Sequence, residues 1–571
     1  MTRRTIILLV LIVIFSTHPV FAVQYISSPP LGKAVSTTVK SCADIKNIQL
    51  PLITWGGDIP TVFANGNNVT TQKGSLFDKE GLGVQLKRED VFTRQLEAYL
   101  ACQSPFLRGT MGMINMAAEV TNKDPRTKLN VVYQLTWSAG GDAMVVKDGI
   151  ARPEDLKGKT IAVQAYGPHV DYLGKILKDA GLSMKDVTIK WVSDLTGTDN
   201  TPMAAFYEKG IAAAMVIIPD ALALTSGGNI GTGSEDSVKG AKILLSTKTA
   251  NRVIADVYAV RSDFLEANRD KVQGFVHALL LAEEEVKNLF KSREARAADY
   301  QKMIQSAATV LLDSPQAVKD TEAMYADAEF AGFKGNVKFF TDFKYPRGFD
   351  QLTGEIQTAF ISLGLMSAKT ALIPPALDYR GLQEGLTDIS GVELPRFDSA
   401  KVATVVTKKQ QQGTLSEGAL YSFEVYFEPN QNTFTADLYS EAFKKVIDLA
   451  STYGGAIITI EGHSDPLGYL KKKKEGESEI LLSRVRQSAK NLSLTRANAV
   501  RDSLMGFAVK QGVTLDASQF AVVGHGIGKP SSGLCGDDPC APKTKQEWLN
   551  NMRVEFRIIQ VEAEESVFNP L

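Results

Sequence analysis

At 571 residues the chain is too long for one hydrophobic core, and domains of about 100–200 residues divide it into three or four units. With 44% apolar and 22% charged residues, its composition is that of a soluble globular protein. The 63 basic and 64 acidic side chains leave a net charge of −1, which offers no basic surface to a nucleic-acid partner.

Arg3 and Arg4 precede an unbroken apolar run from Ile6 to Phe15, and small Ala22 follows two residues after Val20. A basic start, a greasy stretch and a small-residue exit predict a secretory signal over residues 1–22. The run is shorter than the roughly 20 apolar residues that span a bilayer. An uncleaved N-terminal anchor is the competing reading. Residue 23 is Val rather than Cys, which argues against a lipid-anchored form. An exported, periplasmic location follows, with association to peptidoglycan and the outer membrane as a further expectation from the C-terminal region.

Four cysteines fit such a compartment: Cys42, Cys102, Cys535 and Cys540. Cys535 and Cys540 bracket a short loop, so the expected disulfides are Cys535–Cys540 and Cys42–Cys102. A metal site is the competing reading, but no histidine accompanies either pair at ligand spacing. No metal or other cofactor is expected.

Between residues 39 and 386 short apolar runs alternate with amphipathic helical patterns. "QLPLITW", "KLNVVYQLTW", "DAMVV", "KTIAVQA", "VTIKWV", "AAMVII" and "IADVYAV" read as strands. "HVDYLGKILKDAGLS" and "RDKVQGFVHALLLAEEEVKNLFKS" read as helices. The alternation predicts an α/β fold with largely parallel sheets. From 387 to 416 the periodicity fades among Pro, Gly and a Gln run, which reads as a linker. From 417 to 562, "YSFEVYF", "AIITIEGH", "FAVVGHG" and "MRVEFRIIQV" read as strands and two intervening stretches as helices. The result is a βαβαβ-β two-layer sandwich.

The blocks "IEGHSDPLGY", "LSLTRANAV", "GHGIGKP" and "NNMRVEFRI" stand in the order found in OmpA-like peptidoglycan-binding domains, which this region resembles. The resemblance implies non-covalent binding of the diaminopimelate stem peptide of peptidoglycan, with Asp465 and Arg496 as the contacts. The chemistry fits: a carboxylate takes the ligand ammonium, and an arginine forks onto its carboxylate. Ser493 reads as a helix N-cap that puts Arg496 in a first turn, where a bound anion suits the helix dipole. The bland reading is an internal Asp465–Arg496 salt bridge. Asn430 and Ser464 match polar positions near the implied pocket. Asn551 and Arg553 match the last block and read as structural. Thirty residues separate Asp465 from Arg496, about twice the gap usual in the family. The extra stretch, 471–491, opens with four lysines and contains a second L-S-x-x-R ending at Arg486. It reads either as a cover for the pocket, as an attractor of anionic glycan or lipid, or as a solvated loop.

Within a two-lobed region read as 39–386, residues of about 45–375 resemble periplasmic solute-binding proteins of the type II fold, closest to the nitrate, sulfonate and taurine (NMT1-like) group. "EDLKGKTIAVQAYGPHVDYLGKILKDAGLSMKDVTI", "MAAFYEKGIAAAMVIIPDA" and "VRSDFLEANRDKVQGFVHALLLAEEE" carry the likeness. It implies two lobes around a cleft, with the second lobe at about 145–250 and loop residues at strand ends and helix starts as contacts. The candidates are Thr54, Trp55, Gly56, Thr110, Ser138, Asp142, Tyr166, His169 and Asp199, with Gly109, Gly140, Gly167, Asp194 and Thr198 beside them. Acids lining the cleft would favour a zwitterionic or amine-bearing solute. No G-x-S-x-G, P-loop or metal-spaced histidine cluster is present, and His169 and His277 are isolated, so an enzyme is not expected. The expectation is a solute receptor tethered to the wall, serving an inner-membrane ABC permease. A cell-envelope structural or assembly protein that uses the two-lobed region for docking is the other reading.

Overall fold

A computed structural model describes residues 23–234, 236–374, 377–389, 397–415 and 419–560. The expected signal over 1–22, residues 390–396 and 416 of the expected linker, and the ends of the 417–562 segment lie outside them. No described helix is long and apolar enough to cross a membrane.

The fold is mixed α/β with open sheets. A first lobe holds the parallel pair β1 (Ile48–Leu52) and β2 (Val84–Arg88), and a sheet of β3 (Phe106–Thr110), β4 (Leu129–Ser138), β10 (Ala255–Arg261) and β11 (Ala328–Phe330). Its order is β11-β4-β10-β3, and every pairing in it is antiparallel. A second lobe is built on β5 (Asp142–Val146), β6 (Thr160–Gln164), β7 (Thr188–Val192), β8 (Ala213–Ile217) and β9 (Lys242–Ser246), in the order β7-β6-β8-β5-β9. There β6 runs parallel to β7 and β8, whereas β5 is antiparallel to β8 and β9. The expectation of largely parallel sheets is therefore corrected. Apolar periodicity reveals strands but not their direction, and here strands return from one lobe to the other instead of winding within one sheet.

Three segments pass between the lobes. Ile26 bonds to Trp191 of β7 in the second lobe, while the helix Leu31–Ala34 packs in the first, so 27–30 crosses over. Residues 139–141 join β4 to β5, and 247–254 join β9 to β10. Cys42 and Cys102 are disulfide-bonded in the first lobe, and Cys535 and Cys540 in the C-terminal region.

In the C-terminal region β12 (Ala419–Tyr426), β13 (Ile457–Gly462), β14 (Phe520–Gly524) and, beyond the two-residue strands β15 (Leu534–Cys535) and β16 (Asp538–Pro539), β17 (Arg553–Ile559) form the sheet β12-β17-β13-β14. The helices Ser440–Thr452 and Glu479–Lys510 cover one face through Phe443, Val446, Ala497, Val500 and Leu504. Part of the expected linker is a helix, Ser399–Gln412. Asp398 caps it by accepting from Ala400 and Lys401 N–H, and Val402, Val405 and Val406 pack on Ile457, Ala521 and Ile559. Those valines have the i, i+3, i+4 spacing of a buried helix face, outvoted in the sequence by the polar residues around them.

The long helix also corrects the reading of Ser493. No Gly or Pro interrupts residues 479–505, so the helix runs from Glu479 through the extra stretch and Ser493 lies in its interior. It approaches the sheet closely: a Cβ on Gly462 would fall 1.9 Å from the Ser493 carbonyl oxygen. Gly462→Ala is expected to cost about 2–3 kcal/mol in denaturant unfolding, since backbone must shift. Gly468→Ala, where a Cβ meets open space, is expected to be neutral or slightly stabilising.

Candidate functional site

The end of β13 and the middle of the long helix meet at Arg496, which is 1% exposed. Its Nε donates to the Gln431 carbonyl at 2.8 Å, and its two terminal nitrogens donate to Glu428 O at 3.2 Å and His463 O at 3.3 Å. The guanidinium lies over the Phe427 ring. Among the described residues no carboxylate pairs with it, and burial pulls its pKa down to about 10. A guanidinium has five N–H donors, so two remain for a ligand.

Asp465 follows two residues after His463 and is half-buried. Its carboxylate accepts from Leu467 N–H at 3.1 Å and, at the 3.5 Å limit, from Asn551 Nδ2. Burial raises it above the usual carboxylate range, against these hydrogen bonds and one from Trp548. Asp465 and Arg496 form no salt bridge with each other, so the bland reading of the pair is not realised. Arg496 is also not a first-turn residue: backbone carbonyls, not a helix N-terminus, frame its charge.

Ser464 is buried, with its hydroxyl donating to Ala489 O at 2.9 Å, so it ties the loop to the long helix. Asn430 is exposed, with a left-handed φ of 60°, and turns the chain toward the Gln431 carbonyl that Arg496 uses. Asn551 is fully buried and reaches Ser532 as well as Asp465. Arg553 pairs with Glu555 and Glu424. Arg486 engages Glu479 and the Tyr469 hydroxyl instead of the pocket. The extra stretch is a helical hairpin, Leu467–Lys474 against the start of the long helix, joined by Tyr469, Leu482 and Ile527.

The cleft candidates divide into two groups. One converges where the lobes join. Ser138 Oγ donates to Asp142 at 2.6 Å, His169 Nε2 lies 2.7 Å from the same carboxylate, and Thr247 Oγ1 accepts from Gly140 and Asp142 N–H at 3.1 Å each. Trp55 Nε1 donates to Thr136 at 2.9 Å, and its ring would lie 2.6 Å from a Cβ on Gly141. Gly56 lies against the Met324 carbonyl. Thr110 is buried and caps the helix Met111–Thr121 through Met113 N–H. Tyr166 donates to Pro29 O on the first crossing, and the remaining two lie elsewhere: Thr54 is exposed and bonded to Asp90, and Asp199 is exposed. Asp194 accepts from Ser193 and Thr198.

Two acidic arrangements were not foreseen. Arg108 is fully buried between Asp58 and Asp256, both at 2.8 Å, and burial pushes Asp58 up to about 6 despite that pull. Asp171, 5% exposed on the helix His169–Asp179, lies against the first turn of Met111–Thr121, 2.9 Å from where a Cβ on Gly112 would be. "TWGGD", "RGTMGM" and "AYGPHVD" contain all three of Asp58, Arg108 and Asp171, but only the fold brings them inside.

The NMT1/THI5 like family model matches residues 68–288. No curated protein matches the chain. Among solved structures, the alkanesulfonate-binding protein SsuA from Xanthomonas axonopodis pv. citri, bound to MOPS, is 18% identical. The match covers 57% of this chain and 96% of that one, with a TM-score of 0.39. The periplasmic aliphatic sulphonate binding protein SsuA from Escherichia coli is 16% identical over 62% and 96% of the two chains, with a TM-score of 0.39. The peptidoglycan-associated lipoprotein from Burkholderia pseudomallei is 20% identical over 24% of this chain and 88% of that one, with a TM-score of 0.17.

Burial pushes the Asp171 carboxyl up to about 8, from an unfolded value near 4. Its contribution to stability is complete below about pH 4 and is lost as pH rises through 8, because the native state holds a proton the unfolded chain releases. Asp171→Asn should narrow the stability difference between pH 5 and pH 8.5 by at least about 1 kcal/mol, measured by urea unfolding.

Proposed function

We propose that the protein is a periplasmic solute-binding protein held non-covalently to peptidoglycan by its C-terminal region. Residues 1–22 export it, 39–386 form the receptor with its second lobe at about 145–250, and 417–562 bind the wall, close to the outer membrane. The receptor serves uptake of a small polar solute through an inner-membrane ABC permease. The family-model match over 68–288 supports the receptor assignment.

The observation that carries the wall-binding half is that, among the described residues, buried Arg496 has no counter-ion and half-buried Asp465, two residues after its partner His463, has no cation. Each charge is left wanting, and the free end of diaminopimelate carries an ammonium and a carboxylate on one carbon to supply both. Removing one partner of such a desolvated pair costs about 2–5 kcal/mol of binding. Wild-type protein should therefore sediment with purified peptidoglycan, and Asp465→Ala or Arg496→Ala should largely abolish it. Equal sedimentation of the variants defeats the assignment. Because only the ionised carboxylate holds an ammonium and burial raises the Asp465 pKa, binding should weaken as pH falls through the acidic range. Asp465→Asn should remove that pH dependence along with most of the affinity.

A second reading, a docking module in a cell-envelope assembly, is favoured by one observation. Ser138, Asp142, His169 and Thr247 satisfy one another instead of facing open space. A thermal-shift panel of small anions, amino acids, amines and sulfonates separates the two. Saturable stabilisation by one class, growing with the logarithm of its concentration, supports the receptor. A flat panel supports docking.

A further inference from the structure

The crossing segment 247–254 is gripped from outside both lobes. Thr452 and Gly455 flank the turn between the helix Ser440–Thr452 and β13. Arg252 N–H donates to Thr452 O at 3.1 Å, and Gly455 N–H donates to Thr249 O at 3.1 Å. The contact has no clearance: a Cβ on Gly455 would fall 1.8 Å from Lys248 O, and one on Gly454 2.9 Å from Asn251 Oδ1. Buried Tyr453 donates from its hydroxyl to Asp179 at 2.8 Å.

An ion cluster surrounds this turn and joins three parts of the chain. Lys175, its side chain 2% exposed, lies 3.1 Å from Asp179 on its own second-lobe helix. It also lies 3.4 Å from Glu355 on the helix Phe349–Ser362 and 3.7 Å from Asp448 in the C-terminal region. Arg347 bonds to Glu355 at 2.9 Å and donates to the Arg252 carbonyl at 2.7 Å, so it ties the crossing segment to the same ion cluster.

From Gly455 the chain runs directly along β13 to His463, whose carbonyl holds Arg496, and to Asp465. The turn and the clamp are thus the two ends of one strand. We propose that occupancy of the Asp465–Arg496 site is coupled through β13 to the crossing segment, so that binding the wall and moving the lobes influence each other. The proposal rests on the peptidoglycan reading. A segment that hinges between lobes must change its backbone angles, and here it cannot do so without moving or releasing the turn. Coupling between two sites is reciprocal, so a ligand that orders one end of β13 restrains the other.

Hydrogen exchange of the full-length protein, with and without a soluble stem peptide ending in diaminopimelate, tests this. Saturating peptide should slow exchange across 247–254 by about fivefold or more. Gly455→Val should lose that response while still sedimenting with peptidoglycan. Asp448→Ala, an exposed change that removes one ion-cluster partner without touching the turn, should weaken the response. Unchanged exchange at 247–254 in wild type that binds the peptide overturns the coupling and leaves wall binding intact, as does a Gly455→Val response equal to wild type. Failure of wild type to bind peptidoglycan overturns both.

Discussion

The structure depends on how backbone polar groups are satisfied where the chain passes from one sheet to the other. At 139–141 and 247–254 the regular strands have ended, and backbone bonds such as Ala139 N–H to Asp327 O and Thr247 N–H to Asp142 O satisfy only part of the chain. Buried N–H and C=O groups left over would be costly, so side chains supply further partners. Thr247 accepts from two N–H groups, Ser138 and His169 converge on Asp142, and Arg347 donates to the Arg252 carbonyl. The C-terminal region supplies two more partners, Thr452 O and Gly455 N–H. It thereby helps to satisfy the backbone of the two-lobed region's crossing segment. The helix Ser399–Gln412, packed on its sheet, tightens that connection.

Two buried arginines show how the same residue serves different ends. Arg108 lies between two carboxylates, so its charge is compensated inside the first lobe. Arg496 has three carbonyl dipoles and the Phe427 ring around it but, among the described residues, no carboxylate partner, and burial lowers its pKa. Desolvation penalises an uncompensated cation, and an incoming anion relieves that penalty. The first arrangement is complete as it stands. The second lacks such a partner among the described residues, and in the proposed function a ligand supplies it.

The glycines mark where the parts approach. Gly462 admits the long helix to the end of β13, and Gly455 admits the crossing segment to its start. In both cases the missing side chain is replaced by a carbonyl from another element. Neither position needs an unusual φ; each needs only the absence of a Cβ.

Much of the architecture was legible because it is local. Apolar runs marked most strands, and the four ordered blocks pointed to Asp465 and Arg496 as a pair. Alternation alone could not give strand direction, which depends on partners far away in the chain. The first-turn placement of Arg496 failed because a helix extends until something stops it, and the residues ahead of Ser493 contain no breaker. Thr54 and Tyr166 read as cleft candidates because polar loops with glycine resemble binding loops; the fold adds that they bond to Asp90 and Pro29. By itself the sequence determined most of the strands and which charged residues stand beside glycine turns, but not the extent of the helices Ser399–Gln412 and Glu479–Lys510. Only the tertiary structure decided which of those charges are compensated, because compensation depends on groups hundreds of residues apart meeting in a medium where water cannot substitute for them.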